Sequence, residues 1–434
     1  MSERVLRVGM LGCGTVGAAV LRLLEGHRDD IQRRAGCRLE VRKVAVRDPG
    51  KARDVPLPPD AFVDDPMAVV EDPDVDIVCE LIGGLEPAGP LVLAAFERAK
   101  PVVTANKELL ANRGRELFDA SDDKGLDLYF EASVGGGIPL IRPLKESLTG
   151  ERVRRVMGIV NGTTNFILTK MSEEGRSFDD VLAQAKRLGY AEADPSADVE
   201  GHDAAAKCAI LASIAFNARV MASDVYREGI ANVTTEDIEF ARRLGYVIKL
   251  LAIAEMGPSD QGDERISARV HAAMIPASHP LASVRDAFNA VFVEGPDVGE
   301  LMFYGRGAGG EATATAVVGD LVTVARNLLA GARGVGCTCF YDRTIRPMDE
   351  LTGQYYLLIR AEDRPGVLAE IASVFGRSDV SIKSVWQEGF GDDAQLVFVT
   401  HRAREGAFQE AVAALRALPA VEEVRSVLRV EAEE

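Results

Sequence analysis

The sequence predicts an α/β protein that begins with a doubly wound parallel sheet. Short apolar runs of the kind found in buried strands stand at residues 5–11, 39–46, 76–82, 101–104 and 126–131. Helical patterns separate them, as at residues 90–99. Repetition of strand, crossover helix and strand is typical of a parallel sheet with helices on both faces.

The first apolar run leads directly into a glycine-rich turn, Gly12-Cys13-Gly14-Thr15-Val16-Gly17. In a strand–turn–helix context, Gly12 permits the tight turn, Gly14 lets the backbone approach a pyrophosphate, and Gly17 lets helix and strand pack closely. Thr15 and Val16 begin the helix, whose free N–H groups attract phosphate. This is a Rossmann-type fingerprint and predicts a dinucleotide cofactor.

The end of the second strand carries the residues that distinguish NAD from NADP. Asp48 is a candidate acceptor for the ribose hydroxyls of NAD, whereas Arg47, with Lys51 and Arg53 nearby, is suited to the 2′-phosphate of NADP. The same residues are also compatible with ordinary loop charges. We expect NADP or NAD, with NADP slightly preferred.

The segment 204–216 is helical in pattern and apolar nearly all round, which is typical of a buried helix. Lys207 stands inside it, and Asp203 lies four residues earlier on the same face. A lysine in such a place is paired, neutralised or used in chemistry. The alternative is that its amine extends along the helix to water.

Length and composition limit the function classes. The 434 residues suffice for two to three domains, and the net charge of −17 argues against nucleic acid or an anionic membrane as partner. No stretch approaches the ~20 apolar residues of a membrane span. The six cysteines lack CxxC spacing, and no signal-peptide pattern opens the chain. We therefore expect reduced thiols in a cytoplasmic protein.

Several further motifs, in this order and spacing, carry a family resemblance. They are Thr104-Ala105-Asn106-Lys107, the segment from Glu131 to Pro139, Asn161-Gly162-Thr163-Thr164-Asn165, Gly189-Tyr190-Ala191-Glu192-Ala193-Asp194-Pro195, and Asp198 to Asp203 with Lys207. The chain resembles the monofunctional homoserine dehydrogenases with a C-terminal ACT domain. The resemblance implies reversible interconversion of L-aspartate 4-semialdehyde and L-homoserine with NAD(P), on the route to threonine, methionine and isoleucine.

The resemblance also implies roles for particular residues. Lys207 is the implied acid–base group and Lys107 lies beside it, and the sequence does not decide which lysine moves the proton. The implied substrate-binding residues are Glu192, Asp203, Asp198 and Gly189. The implied cofactor contacts beyond the glycine turn and Arg47 are Thr104, Lys107, Ser133 and Gly309.

A monovalent cation, Na⁺ or another, is implied as well. Its ligands would be the Glu131 carboxylate and the backbone carbonyls of Val134, Gly136 and Ile138, and glycines let carbonyls converge on a hard cation. From the sequence alone, a simple glycine-rich hinge explains the same segment.

We expect four regions along the chain. They are an NAD(P)-binding domain at 1–138, an α+β substrate and dimerisation domain at 139–340, a linker at 341–353 and an ACT domain at 354–434. Helix 311–330 is expected to pack back on the first domain. The last region has the strand–helix order βαββαβ of a ferredoxin-like fold.

The ACT resemblance implies L-threonine as effector at the turn 363–368, and a homodimer or homotetramer. Ser381 stands where many ACT domains carry Asn, which weakens that expectation. The alternative is a domain used only for oligomerisation.

Two rival functions fit the sequence less well. An aspartate-semialdehyde dehydrogenase needs a nucleophilic cysteine, and the segment 161–165 has none. A non-enzymatic, amino-acid-sensing NAD-binding regulator would not require Lys107, Lys207 and the acidic cluster together.

Overall fold

The computed structural model describes residues 4–258, 262–389 and 394–432. Its N-terminal part alternates strands and helices as the sequence predicts. The elements are β1 (Val5–Leu11), α1 (Thr15–Gly26), α2 (Arg28–Ala35), β2 (Arg38–Ala45), β3 (Phe62–Val63), α3 (Met67–Val70), β4 (Ile77–Glu80), α4 (Ala88–Glu97), β5 (Val102–Thr104), α5 (Lys107–Asp123) and β6 (Leu128–Tyr129).

These strands form one six-stranded sheet in the order β3-β2-β1-β4-β5-β6, and every pairing is parallel. The order reverses at β1, between β2 and β4. Ligands of such sheets bind beyond the carboxyl ends of the strands, at this switch point. The prediction of a doubly wound parallel sheet is confirmed.

The middle of the chain contributes a second group of elements. They are β7 (Arg155–Ile159), α6 (Gly162–Glu174), α7 (Phe178–Leu188), α8 (Ser196–Val199), α9 (His202–Ala215), β8 (Tyr226–Arg227), α10 (Thr235–Arg243), β9 (Tyr246–Pro258), β10 (Glu264–Pro276), β11 (Phe288–Gly295), β12 (Gly299–Arg306) and α11 (Gly310–Ala330). The long strands β9 and β10 pair antiparallel over their whole length, from Pro258 opposite Glu264 to Tyr246 opposite Pro276.

The C-terminal elements are β13 (Thr352–Ala361), α12 (Val367–Arg377), β14 (Ile382–Glu388), β15 (Gln395–Thr400), β16 (Ala403–Arg404), α13 (Glu405–Arg416) and β17 (Val421–Val430). The sheet order β17-β13-β15-β14, antiparallel throughout, is that of the predicted ferredoxin-like fold. Buried aromatic rings fill its core, among them Tyr355 and Phe408, which stack with centroids 3.7 Å apart.

By their contacts the residues group into two compact units. The first unit joins Met1–Val156, Ala206–Val225 and Asn289–Arg343, and the second joins Met157–Ala205, Tyr226–Phe288 and Thr344–Glu434. In the first unit, α11 packs on α1 and α2 and buries Ala314, Val317 and Leu321 in the core that also holds β1. The four predicted regions stay a prediction, because these units follow contacts and not boundaries along the chain.

The second unit contains a buried cluster of charges. The Arg429 guanidinium, on β17, donates to Glu405 at 2.7 Å and to Glu228 at 2.9 Å. On β10, His271 is fully buried, and its burial together with the charge of Arg429 lowers its pKa to about 4. These groups tie the C-terminal strand to the segment around Glu228.

Across the described residues, no helix combines the length and the apolar character needed to cross a membrane.

Candidate active site

In the turn between β1 and α1, each of the three glycines has a different structural environment. Gly12 has φ +102° and donates its N–H to the Ala45 carbonyl at 2.9 Å. A Cβ on Gly17 would lie 2.7 Å from the Gly12 carbonyl oxygen, so only glycine fits there. At Gly14, no atom of the described residues lies within 4 Å of the Cβ position. The turn is therefore closed at two glycines and open at the third.

A second helix begins beside this turn. Gly309, at φ +126°, precedes α11, and a Cβ on Gly310 would lie 3.1 Å from the Thr15 methyl carbon. The N-termini of α1 and α11 are thus neighbours in the first unit. Both present unpaired N–H groups and the positive ends of their helix dipoles, which favour an anion.

A hydrogen-bond network holds the start of α5 at the carboxyl ends of β4 and β5. Glu80, fully buried, accepts the Thr104 hydroxyl at 2.6 Å and the backbone N–H groups of Ile82 and Gly83. Thr104 Oγ1 accepts the Asn106 N–H at 3.0 Å, and the Asn106 side chain caps α5 by accepting the Leu109 N–H at 3.0 Å. These bonds fix the position of the first helical residue, Lys107.

Arg47 and Asp48 follow β2 at the same edge of the sheet. Asp48 Oδ1 accepts the Gly50 N–H at 3.0 Å, and its backbone carbonyl accepts from Arg53 at 2.9 Å. No hydrogen bond or ion pair links the exposed Arg47 side chain to any residue that the structure describes. The carboxylate is therefore used within its own loop, while the guanidinium of Arg47 is available.

Glu131 is buried, and its carboxylate accepts three successive backbone N–H groups, from Leu140, Ile141 and Arg142. Its own N–H donates to Asp320 at 2.8 Å, and the Arg142 guanidinium donates to the same Asp320 at 2.6 Å. Burial raises the pKa of Asp320 to about 7, although these two donors oppose the shift. The network joins the Glu131 segment to α11.

The segment after Glu131 contains buried backbone carbonyls that accept no hydrogen bond from the described residues. Val134, Gly136 and Ile138 are buried, and within the described ranges none of their carbonyl oxygens accepts a hydrogen bond. Buried backbone carbonyls normally accept a hydrogen bond, so these three oxygens are candidate ligands for a bound ion. Ser133, next to them, donates its hydroxyl to the Phe130 carbonyl at 2.7 Å.

Helix α9 is buried as the sequence predicts. Ala204, Ala205 and Ala206 are nearly inaccessible, as is the run that follows from Cys208 to Ala212. In the first two turns only His202, Asp203 and Lys207 reach solvent. Asp203 and Lys207 are one turn apart, so the helix shows one charged face.

In the second unit, the Asn161 side chain hydrogen-bonds to two acidic residues. Its side-chain amide donates to Asp198 at 2.7 Å and to Asp203 at 2.9 Å, while its oxygen caps α6 by accepting the Thr164 N–H. Two carboxylates around one amide nitrogen form a strongly negative position.

The segment 189–193 follows α7, which ends at Gly189 with φ +78°. Thr163 donates its hydroxyl to the Tyr190 carbonyl at 2.7 Å, and this bond fixes the segment against α6. Glu192 is exposed.

Comparisons with known proteins agree with this geometry. The family models of the homoserine dehydrogenase NAD-binding domain, of homoserine dehydrogenase and of the ACT domain match residues 12–131, 139–322 and 355–420. A homoserine dehydrogenase of Corynebacterium glutamicum is 51% identical over 424 residues, which cover 98% of this chain and 95% of that protein. The chain belongs to the homoserine dehydrogenase family.

Solved structures support the same assignment. A homoserine dehydrogenase from Thiobacillus denitrificans superposes with a TM-score of 0.93 at 43% identity, and the match covers 99% of both chains. A hyperthermophilic archaeal homoserine dehydrogenase in complex with NADPH has a TM-score of 0.63 at 27% identity, covering 77% of this chain and 99% of that one. This homoserine dehydrogenase is thus an oxidoreductase that acts on a CH–OH group and carries an NAD-binding domain.

Sequence reasoning missed three residues that organise the site of this homoserine dehydrogenase. Glu80 was visible only as an acid ending an apolar strand, and Asn161 only as part of a motif. Asp320 is one of few acidic residues inside a long apolar helical pattern, and this unusual placement is the sequence signal that could have identified it. Their partners lie 24 to 189 residues away in the chain, so no local pattern reveals them.

Proposed function

We propose that this homoserine dehydrogenase interconverts L-homoserine and L-aspartate 4-semialdehyde, on the route to threonine, methionine and isoleucine. The observation that carries the proposal is the charged face formed by Asp203 and Lys207 on the otherwise buried helix α9. Charged side chains are uncommon on a helix that is otherwise buried, and both of these are only partly exposed. A reaction that moves a proton and binds an ammonium group supplies a purpose for both.

Lys207 exchanges the hydroxyl proton of homoserine as acid–base group. Lys107, the first residue of α5, acts beside it on cofactor or substrate, and its fixed position through Thr104, Asn106 and Glu80 supports this role. A proton donor must reach its acceptor within hydrogen-bond distance, which requires a well-positioned amine. Separate variants of the two lysines distinguish which one moves the proton.

The acidic residues bind the α-ammonium group of the substrate. Asp198 and Asp203 share the Asn161 amide, and an ammonium group would neutralise their paired negative charge. Glu192 contributes a third carboxylate from the segment after Gly189. The left-handed backbone at Gly189 ends α7 and begins that segment.

The glycine turn and α1 bind the dinucleotide, with contacts from Gly12, Gly14, Thr15, Val16 and Gly17. Gly309, Thr104 and Ser133 complete the set, supported for Gly309 by its place beside Thr15. When bound, the nicotinamide supplies or accepts the hydride. Arg47 binds the 2′-phosphate and makes NADP the preferred cofactor, because Asp48 is already engaged by Gly50.

A monovalent cation, Na⁺ or a similar ion, binds at the Glu131 segment. The three carbonyls of Val134, Gly136 and Ile138, which accept no hydrogen bond from the described residues, fit an oxygen-liking cation. The Glu131 carboxylate adds the negative charge. The ion would hold the segment that precedes the helical turn at residues 143–147.

The ACT domain binds L-threonine as feedback effector at the turn 363–368, and the enzyme works as a homodimer or homotetramer in the cytoplasm. The ferredoxin-like sheet and the ACT family match support an effector role. We propose the domain limits 1–138, 139–340, 341–353 and 354–434 for this organisation.

One assay tests the proposal. Homoserine oxidation is followed by the absorbance of the reduced nicotinamide with NADP⁺ or NAD⁺, with and without Na⁺ and with and without threonine. We expect turnover with both cofactors, a lower KM for NADP⁺, activation by Na⁺ and inhibition by threonine. If neither cofactor supports turnover, the proposed reaction is rejected. An equal KM for the two cofactors, no effect of Na⁺ or no effect of threonine would reject the NADP preference, the cation site or the effector, respectively.

A further inference from the structure

Two cysteines that the reaction does not use lie together after α11. The Cys339 N–H donates to Cys337 Sγ at 3.4 Å, and the two thiols also hydrogen-bond to each other. Both are partly exposed, whereas Cys37, Cys79 and Cys208 are buried. This pair is thus a side-chain cluster with one sulfur already held next to the other.

Charges of both signs lie near the pair, since Asp122 accepts the Cys337 N–H at 3.3 Å and Arg219 is paired with Asp119. Lys145, on the helical turn at residues 143–147, donates its ammonium group to the Val335 carbonyl at 3.1 Å and lies over the Phe130 ring. Hydrogen bonding from Cys339, together with the charges of Arg219 and Lys145, lowers the pKa of Cys337, although burial opposes the shift. The same contact raises the pKa of Cys339. Cys337 is therefore the better nucleophile of the pair, and Cys339 lies next to it as the resolving thiol.

The pair borders a small cavity within the first unit. Leu110 and Phe118 of α5, and Ile210 and Ile214 of α9, line it. Leu110 lies three residues after Lys107, and Ile210 lies three residues after Lys207. The dithiol therefore packs beneath the helices that carry both lysines.

We propose that Cys337 and Cys339 form a thiol–disulfide exchange site that reacts reversibly with low-molecular-weight disulfides. The Cys337 thiolate attacks one sulfur of the disulfide RSSR, forms a mixed disulfide and releases one thiolate RS⁻. Cys339 then loses its proton to solvent and attacks Cys337 Sγ, which closes the internal disulfide and releases the second RS⁻. The two cysteines are oxidised by two electrons and RSSR is reduced to two thiols.

The chemical arm of the test uses the full chain and oxidised glutathione as probe. Wild-type protein is expected to lose two of its six titratable thiols and two hydrogens of mass, without a lasting adduct. Cys339→Ser is expected to stop at one glutathione attached to Cys337. Cys337→Ser is expected to react about 10-fold more slowly, because burial still raises the pKa of the remaining Cys339 thiol. Cys37→Ser is the matched control and should behave as wild type.

The site is refuted if wild-type protein keeps all six thiols under conditions that oxidise free dithiothreitol, or if Cys337→Ser and Cys339→Ser react alike. These readouts do not depend on dehydrogenase activity, so they are separate from the proposed function.

The activity arm rests on the proposed function. Closing the disulfide alters packing beneath α5 and α9, so we expect kcat of the oxidised wild type to fall several-fold and to recover with dithiothreitol. Cys337→Ser should be insensitive to oxidation in this assay, whereas Cys339→Ser should respond only as far as glutathione is attached to Cys337. If the disulfide forms and activity is unchanged, the coupling to the helices is wrong.

Discussion

At Lys207 an ammonium group emerges from a helix whose neighbouring side chains are almost all buried. The alanines at 204–206 are nearly inaccessible, whereas Lys207 is partly exposed. Asp203, one turn earlier, adds a negative charge on the same face. The helix itself therefore sets which face carries the lysine.

Replacing Lys207 by Ala should lower kcat by about 100- to 10,000-fold, because a general acid–base group is lost. The NADPH dissociation constant should stay within about twofold, since the glycine turn is untouched. Steady-state kinetics and NADPH fluorescence titration measure the two effects. Lys124→Ala, on an exposed lysine of the same first unit, is the control and should keep full activity. Near-normal turnover of the Lys207 variant would remove this residue from the mechanism.

Arg47 tests cofactor preference. Arg47→Ala should raise the KM for NADP⁺ by about 10- to 100-fold, the effect of one charge-assisted hydrogen bond, and leave the KM for NAD⁺ unchanged. Arg42→Ala, on β2 and paired with Asp74, is the matched control. Equal effects on both cofactors would mean that Arg47 does not contact the 2′-phosphate.

The motifs single out candidate site residues, but they do not show how these residues are held. The sequence singles out Lys107 and Thr104, whereas the partner that fixes them, Glu80, belongs to the adjacent strand. Asn161 is a comparable case, since its contact with Asp198 depends on the fold of the second unit. Strand pairing and helix packing create these contacts, so they follow only from three-dimensional structure.

At the scale of elements, α5 begins where β4 and β5 end, and Glu80 connects the three. Its buried carboxylate accepts one hydroxyl and two backbone N–H groups, so it defines the turn as well as the helix start. A substitution of Glu80 should therefore disturb the whole start of α5 and not only one hydrogen bond.

Glu80→Gln should lower kcat about 10-fold with little change in the KM for homoserine, because Lys107 loses part of its positioning. If the glutamine oxygen keeps the Ile82 and Gly83 N–H groups, its NH2 group faces the Thr104 hydroxyl and cannot accept from it. An unsatisfied buried group costs about 1–3 kcal/mol, so the thermal midpoint should fall as well. Kinetics and calorimetry measure both. Glu97→Gln, exposed at the end of α4, is the control. A lower midpoint with unchanged kcat would limit Glu80 to a structural role.

For the whole molecule, alternating strands and helices were enough to predict the parallel sheet and the ferredoxin-like domain. Strand β9 was missed, because residues 246–258 form a nearly continuous apolar run without alternation. A strand buried on both faces cannot be separated from a buried helix by periodicity.

The Arg429 cluster should matter for global stability. Arg429→Met leaves Glu405 and Glu228 without their buried partner, and breaking such a pair typically costs about 3–5 kcal/mol. Urea unfolding should show this loss, while Arg416→Met on the exposed surface of α13 should change stability little. A loss below about 1 kcal/mol would show that the carboxylates find other partners.

His271 should make the protein sensitive to acid. Its pKa is about 4 in the folded chain against 6.5 for an ordinary histidine, so the unfolded chain binds the proton more readily between these values. Stability is then complete above about pH 6.5 and falls as the pH drops towards 4, by at most about 3 kcal/mol. His271→Gln should flatten this slope in urea titrations, whereas the exposed control His202→Gln should not. An unchanged slope would assign the acid sensitivity to other groups.

The return of α11 to the N-terminal core has a consequence for synthesis on the ribosome. Ala314, Val317 and Leu321 complete the apolar layer over α1, yet they are translated nearly three hundred residues after that helix. A nascent chain that has emerged from the ribosome only as far as β12 therefore still exposes the apolar surface of α1 that α11 later covers. Folding of the dinucleotide-binding part is completed late in translation, and until then that surface is a natural binding site for a chaperone.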